Sequence, residues 1–484
     1  MLKYLIEMNR IYLIIISFTV SIAAFAEPLS LDSCRQLALA NNKAVKMADE
    51  AVTGAGYLRR AAKAAYLPGI DFTGGYMYNQ HNIELLGEDA KLPTMSFDLA
   101  TQSYKYNIVT MPDGTPVKDP ATGSYIPTEV AVIPKEAMSF DVHNVFAGAF
   151  TLTQPIYMGG QIRALNEIAR YGEEMASSAR NVAVQDLLYT VDEAYWLVVS
   201  LREKQRLAVS FENLVDSLHR SVVLLNQNGL ATKSDILSVD VRLNEARIAR
   251  VKVDNGLSLS RMALAQLCGL PVDAPMELAD EAGLTPQTMA AIPDYDMADV
   301  YQRRQDLEAL RKSISLMESK EKLSMSAMLP KVAAIGTYAF SNPNVIHGFQ
   351  KRFGGGFSIG AAVTIPIWHW GGNYHQWQAS KSATAAQRLM LEDAEEKVQL
   401  QVNQARFKYQ EAYKTLEMTE TNMEKADENL RQAQLGYKEG VLTLDDVTAA
   451  QTAWLQAHSG QVDAMIGVRL CQVYLEKVLG TMPY

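Results

Sequence analysis

The sequence is short of cysteine, of basic charge and of long apolar runs. Its 484 residues hold three cysteines, Cys34, Cys268 and Cys471, none in CxxC spacing. An odd number cannot all pair within one chain, so neither a disulfide framework nor a zinc site is expected. Asp and Glu number 54 against 45 Lys and Arg, a formal net charge of −9. That sign argues against nucleic acid as a partner, because phosphate binding needs a basic surface. With 48% hydrophobic and 20% charged residues the composition is ordinary for a globular chain, which excludes disorder and collagen. Beyond the N-terminus no continuous apolar stretch reaches the roughly 20 residues of a membrane-spanning helix.

The one long apolar run opens the chain. Lys3 and Arg10 precede Ile11 to Phe25, and the run ends in Ala24-Phe25-Ala26, the small-x-small pattern of a cleaved export signal. The reading is a signal peptide over 1–26, against the alternative of a retained anchor. Leu31-Asp32-Ser33 before Cys34 is not a lipoprotein cleavage box, so no lipid anchor is expected.

The chain beyond residue 26 is a repeat. Leu67-Pro68 opens the Gly/aromatic stretch GIDFTGGYMY, and Leu329-Pro330 opens KVAAIGTYAF, at an offset of 262. Pro155-Ile156-Tyr157-Met158-Gly159-Gly160 answers Pro366-Ile367-Trp368-His369-Trp370-Gly371-Gly372 at an offset of 211, with one extra residue in the second copy. Gly229 matches Gly440 and Gly269 matches Gly480, again at 211. The organisation expected is a first repeat over 27–271, a linker over 272–291 and a second repeat over 292–484, with an insertion loop between the first copy's Gly/aromatic stretches.

Within each copy, polar helix-favouring segments (31–65 and 292–328) run into stretches of period two. Ile70, Phe72, Tyr76 and Tyr78 share one parity, and Asp71, Thr73 and Gly75 the other. Phe146, Phe150 and Leu152 oppose Ala149, Thr151 and Thr153, and in the second copy Phe357 to Ile367 alternate with Ser358, Gly360, Ala362 and Thr364. Such alternation predicts strands. No Asp, Glu, Lys or Arg occurs in 142–162, 332–350 or 353–380. A lipid-facing β-barrel, apolar on one parity, fits this pattern, with aromatics near strand ends as interfacial girdles; a soluble β-sandwich is the alternative. Gln80–Asp141, with Met111-Pro112-Asp113-Gly114 and Asp119-Pro120, reads as a long outer loop, and Ser341–Arg352 as a shorter one.

The rest is helix. Gln161 to Leu225 contains no proline, and Tyr374 to Leu435 neither proline nor glycine. About 60 residues at 1.5 Å each make a rod of roughly 90 Å. Val402, Ala405, Tyr409, Ala412, Leu416, Thr419, Met423, Ala426, Leu430 and Ala433 form a heptad seam, a packing stripe. Each rod turns back at Asn226–Asp235 or Gly436–Asp446, and a second helix returns to Gly269 or Gly480. Four strands cannot close a membrane barrel, which needs about eight. Three protomers with twelve strands would enclose a lumen lined by Gly, Ala, Ser and Thr, and would pack the rods into a helical cylinder.

This order of parts resembles the TolC-like outer membrane efflux protein family. The Pro-Ile-(Tyr/Trp) joints and the Gly and Asp residues of the helical tips carry the resemblance, which covers essentially all of 27–484. It implies an α+β membrane protein: a homotrimer with a shared 12-stranded β-barrel in outer-membrane lipid and a long periplasmic α-helical coiled-coil barrel. It also implies an exit duct of a tripartite efflux system for small molecules, with a periplasmic adaptor and an inner-membrane transporter as partners and no cofactor. The alternative is a type I polypeptide secretion channel, which neighbouring genes would discriminate. By resemblance, Asp235, beside Ser234, and Tyr437 match a closing hydrogen bond between coils, and Asp446 an acidic ring at the entrance. Asp235 is also placed to cap the returning helix. The family's gate arginine falls at Leu442 and a second acidic position at Ala449, departures that put one salt link and one ring in doubt. The tip turns Gly229-Leu230 and Gly440-Val441 are the expected docking points for the adaptor.

Two rivals come from other classes. One is a structural periplasmic coiled-coil protein with a barrel that does not conduct. The other is a surface hydrolase using Ser358, since Gly356-Phe357-Ser358-Ile359-Gly360 matches GxSxG. That motif needs a strand-to-helix turn, whereas the alternation here runs on to Trp368. His369 lies between two tryptophans and His81, His143 and His347 lie in or near the loops without zinc spacing, so no metal site is expected. The 21 methionines are scattered along the chain.

Overall fold

The structure, a computed structural model, describes residues 28–284, 294–344, 348 and 350–482. The expected signal peptide, residues 285–291 of the expected linker and His347 lie outside the described residues. The fold forms two compact units that cut across the sequence repeat. One takes the described residues of Met1–Ala62, Arg163–Ser324 and Tyr374–Tyr484, and the other Lys63–Ile162 and Met325–Asn373.

Helices dominate the first unit. In chain order they are α1 (Leu31–Asn41), α2 (Lys43–Ala64), α3 (Gln161–Gln227), α4 (Lys233–Leu267), α5 (Met297–Arg303), α6 (Gln305–Ser326), α7 (Gly372–Lys438) and α8 (Leu444–Val478). Helices α3 and α7 have 67 residues each and α4 and α8 have 35 each, so both long hairpins keep the offset of 211 throughout. All four helices end in the same way. A glycine in the left-handed region (Gly229, Gly269, Gly440, Gly480; φ +68 to +75°) follows the cap. The next amide then bonds back across the turn, as in Leu230 N to Leu225 O at 2.8 Å and Val441 N to Gly436 O at 2.8 Å. These are Schellman ends, and glycine supplies the φ that a Cβ would oppose.

The extra residue expected at the second joint is not an insertion. Gly159 and Trp370 have φ +62 and +51°, Gly160 and Gly371 +82 and +74°. Helices then begin at Gln161 and Gly372, so the offset of 211 holds and Gly372 is simply the first helical residue.

Three buried clusters hold this unit. Leu188, Val191, Tyr195 and Val198 of α3 pack with Cys34 and Ala38 of α1, Leu264 of α4 and Val473 of α8. A second cluster joins Val402, Ala405, Tyr409 and Leu416 of α7 to Val468 and Leu475 of α8. The α7 seam is as expected: Val402, Ala405, Tyr409, Leu416, Ala426, Leu430 and Ala433 are buried and Ala412, Thr419 and Met423 half-buried. The described part of the linker is anchored rather than slack. Met276 and Leu278 are in the core, and the buried Glu281 accepts from Arg261 at 2.5 Å.

The second unit is built on one antiparallel sheet, β1 (Gly69–Tyr78), β2 (Asn144–Tyr157), β3 (Lys331–Asn342) and β4 (Gly354–Thr364), in that spatial order. Its register sorts the two parities cleanly. Phe72, Phe150, Tyr338 and Phe357 form one row across all four strands, with Ile70, Leu152, Gly336 and Ile359 in the next row of the same face. On the opposite face the rows are Asp71, Thr151, Thr337, Ser358 and Thr73, Ala149, Ala339, Gly356. The Phe340 ring lies over Gly148, where a Cβ would sit 2.7 Å from its Cζ.

Two expectations need correction. The last strand stops at Thr364 instead of running to Trp368, because Pro366 has no N–H to donate and restricts Ile365 before it. In the first copy Pro155 stays within β2, at the cost of a register shift between Pro155 and Tyr157. The outer loop is also not irregular. It carries three short antiparallel ladders, Ile83–Glu84 with Ser139–Phe140, Ala90–Pro93 with Val130–Ile133, and Met95–Asp98 with Ser103–Tyr106.

Candidate gate at the helical tips

Both returning helices start at a Thr-x-x-Asp capping box. At α4, the Thr232 amide and hydroxyl donate to Asp235 Oδ2 at 2.7 and 2.8 Å, and Asp235 N donates back to Thr232 Oγ1 at 3.2 Å. At α8, Thr443 and Asp446 repeat this, at 2.8, 2.7 and 3.3 Å. A carboxylate at N3 satisfies orphan amides and meets the positive end of the helix dipole. The bonds from Thr443 hold the Asp446 carboxyl below the usual carboxylate range.

The two hairpin ends share one apolar cluster. Phe211, Val215, Leu218 and Val222 of α3 and Val239 and Leu243 of α4 meet Leu430 and Ala433 of α7 and Val447 and Ala450 of α8. Tyr437 is half-buried at its edge, and burial, then the charge of Asp235, pushes its phenol pKa up. Tyr437 also lines a cleft of about 100 Å³ with Ser217, Ser221, Gln434 and Gln451. A single chain thus brings Asp235 and Tyr437 into electrostatic reach, while Asp235 Oδ2 is engaged by Thr232. Leu442 folds over Gly436, where a Cβ would lie 2.8 Å from its Cδ1. Ser234, Gly229, Leu230, Gly440 and Val441 are exposed, with Leu230 and Val441 76% and 75% exposed although apolar.

The family model for outer membrane efflux proteins matches residues 133–270 and 298–481. The chain belongs to the outer membrane efflux protein family. That membership places it in the outer membrane and removes the soluble sandwich. Solved structures agree in fold. The outer membrane protein VceC of Vibrio cholerae superposes with a TM-score of 0.69 at 15% identity, over 93% of this chain and 96% of that one. The CmeC outer membrane channel of Campylobacter jejuni gives 0.68 at 16% identity, over 93% and 85%. Protein CyaE of Bordetella pertussis is 23% identical over 253 residues, 51% of this chain, and the match spans about half of that relative's length.

The GxSxG serine does not occupy the strand-to-helix turn that the hydrolase motif needs. Ser358 sits mid-strand in β4, opposite Thr337, and no strand-to-helix turn follows it. Among the described residues no helix is long and apolar enough to cross a membrane, and no group of three or more His, Cys, Asp or Glu is placed to hold a metal ion.

Sequence reasoning missed Gln451. Its side chain is fully buried, and neither amide atom has a hydrogen-bond partner. The first copy explains the position. At the equivalent place, 211 residues earlier, Asp240 Oδ1 meets His219 Nε2 at 2.8 Å, whereas the second copy has Leu430 in place of His219. The signal was a polar residue in the stripe Val447, Ala450, Gln451, Trp454. Arg242 was also missed; it crosses from α4 to the Thr448 carbonyl of α8 at 2.7 Å and bonds the Thr452 hydroxyl.

Proposed function

We propose that the chain is the exit duct of a tripartite efflux system, a passive homotrimeric channel that conducts small molecules from a periplasmic pump assembly to the exterior. The observation that carries this reading is the four-stranded sheet. One face carries Phe72, Phe150, Tyr338 and Phe357, the other Asp71, Thr151, Thr337 and Ser358, and β1 and β4 are its two edges. Phe357 and Ile359 are 79% and 81% exposed in the single chain, a poor surface for water but a proper one for lipid. Open edges on so few strands call for pairing with further copies of the same sheet, β4 of one to β1 of the next. Three copies give twelve strands, wide enough to leave a bore lined by small and polar side chains.

In this reading the helical hairpins of three copies make the periplasmic tunnel. The tips carry the gate, with Asp235 and Tyr437 as its latch and Asp446 as an acidic constriction that favours cations. The exposed Leu230 and Val441 turns meet the adaptor, an inner-membrane transporter supplies energy and chooses cargo, and outer-membrane lipid surrounds the barrel. Single-channel conductance of the full chain in a planar bilayer tests the proposal. A small conductance that rises in Tyr437→Phe is expected. No conductance in either form, with insertion confirmed, would reject the duct in favour of a non-conducting anchor.

A further inference from the structure

Two cysteines that are far apart in sequence meet in the main helical core. Cys34 lies in the first turn of α1 and Cys268 caps the end of α4; both are fully buried and both are free thiols in the structure. They are 234 positions apart, yet the Cys268 thiol donates to the Cys34 carbonyl oxygen, with Sγ 3.6 Å away. The backbones around them are fixed independently. Asn42 Nδ2, just past α1, donates to the Leu267 carbonyl at 2.9 Å, and a Cβ on Gly269 would lie only 2.4 Å from Asn41 Cβ. On the other side Arg35 is bound to the buried Asp192. A buried cysteine is often only a small apolar side chain, but such a residue packs against carbon. Here the Cys268 thiol instead reaches the backbone of Cys34 inside one buried cluster.

We propose that Cys34 and Cys268 form a disulfide in the exported protein, a single covalent staple between α1 and the C-terminal end of α4. The compartment supplies the conditions, because an outer-membrane chain folds on the oxidising side of the inner membrane. The step is a thiol–disulfide exchange. Two S–H bonds break and one S–S bond forms, and the two electrons and two protons pass to an oxidant of the disulfide class, whose own S–S bond opens to two thiols. It runs through a mixed disulfide that the second cysteine resolves. Once the core closes, the Cys34 thiol is a poor nucleophile. The neighbouring Cys268 thiol and burial push its pKa up, and neither sulfur is open to an oxidant in solution. The oxidation therefore belongs to the folding chain, and the finished bond is sealed from reductant. Cys471, half-buried on α8, is left over as a thiol, which accounts for the odd number.

The proposal rests on the outer-membrane placement and not on conduction, so conductance and thiol counting fail independently. The test is intact mass of the full chain, exported and purified from membranes, after maleimide treatment in denaturant with and without prior reduction. One adduct before reduction and three after are expected, with a proteolytic fragment joining Cys34 to Cys268. Cys471→Ser is expected to show none before and two after; it keeps the pair intact, so its count does not depend on a variant that lacks the staple. Cys34→Ser is expected to show two in both conditions. Three adducts on the exported wild-type chain without reductant would overturn the proposal, as would a fragment linking Cys471 to either partner.

Discussion

Thr232 and Asp235 satisfy each other at the start of α4. The Thr232 amide and hydroxyl both donate to Asp235 Oδ2, and the Asp235 amide returns a bond to Thr232 Oγ1. The residue proposed for the gate is therefore also the N3 partner of a helix cap, and the roles separate by substitution. Thr232→Ala removes the reciprocal cap but leaves the carboxylate. It should cost about 1 kcal/mol of stability and leave single-channel conductance unchanged. Asp235→Asn keeps an oxygen for Thr232 and removes the charge, and its conductance should rise. Equal rises in the two variants would mean that the tip opens through loss of the cap and that the carboxylate is no latch.

Arg35 and Asp192 give a pH-dependent prediction. Arg35 donates from Nε to Asp192 Oδ1 at 2.8 Å and from a terminal nitrogen to Oδ2 at 2.5 Å, and Asp192 is fully buried. Burial raises the Asp192 pKa even against the pull of Arg35. A carboxyl whose folded pKa lies above its unfolded value binds more protons in the native state, so its contribution falls as pH rises above the unfolded value of about 4. Arg35→Ala widens that gap by leaving the carboxylate unpaired. It should destabilise by about 3–5 kcal/mol near neutral pH, and less at pH 5. Thermal unfolding followed by circular dichroism at pH 5 and pH 8 checks this. A deficit independent of pH would show that Arg35 acts through packing alone.

The helix-end glycines form a graded series. Gly229 has φ +73° and open space around its Cα, so Gly229→Ala should cost only the left-handed penalty, about 1–2 kcal/mol. Gly269 has φ +69°, and an added Cβ would meet the Asn41 Cβ at 2.4 Å and its backbone carbonyl carbon at 3.0 Å. Gly269→Ala should therefore cost about 2–5 kcal/mol, the conformational penalty plus overpacking. Gly480→Ala, with Arg303 Cβ at 3.1 Å, should fall between. Denaturant unfolding of the three variants orders them, and a larger loss in Gly229→Ala than in Gly269→Ala would refute the argument.

Local periodicity explains what could be read from the chain itself. The α7 seam and the parity of Phe72 against Asp71 are properties of neighbouring residues, and both stand in the structure. The end of β4 was misjudged because alternation continues past Pro366 although hydrogen bonding cannot. The apparent extra residue arose from matching Gly-Gly to Gly-Gly, when the backbone matches Gly159 to Trp370. The meeting of Cys34 with Cys268 and the orphaned amide of Gln451 depend on helices packed from distant parts of the chain, and no pattern of spacing encodes such contacts. At the tips, Asp235 is legible as a capping residue, whereas its role as the N3 partner of Thr232, the matching Thr443–Asp446 box and the cluster that joins the two hairpins are not.

The faces of the sheet carry the sharpest consequence for conduction. Strand side chains have period two, so a slip of one residue would turn every apolar row toward the lumen. Asp71 and Ser358 lie in one row, and Phe72 and Phe357 in the row of the opposite face. Fluorescent labels on single cysteines introduced at 71 and 358 should be quenched by a water-soluble agent and spared by a lipid-soluble one. Labels at 72 and 357 should show the reverse, in a Cys471→Ser background and in protein reconstituted into vesicles. Lipid quenching at 71 and 358 would invert the assignment of faces. Equal access of both quenchers to all four positions would mean that the sheet does not form a barrel wall.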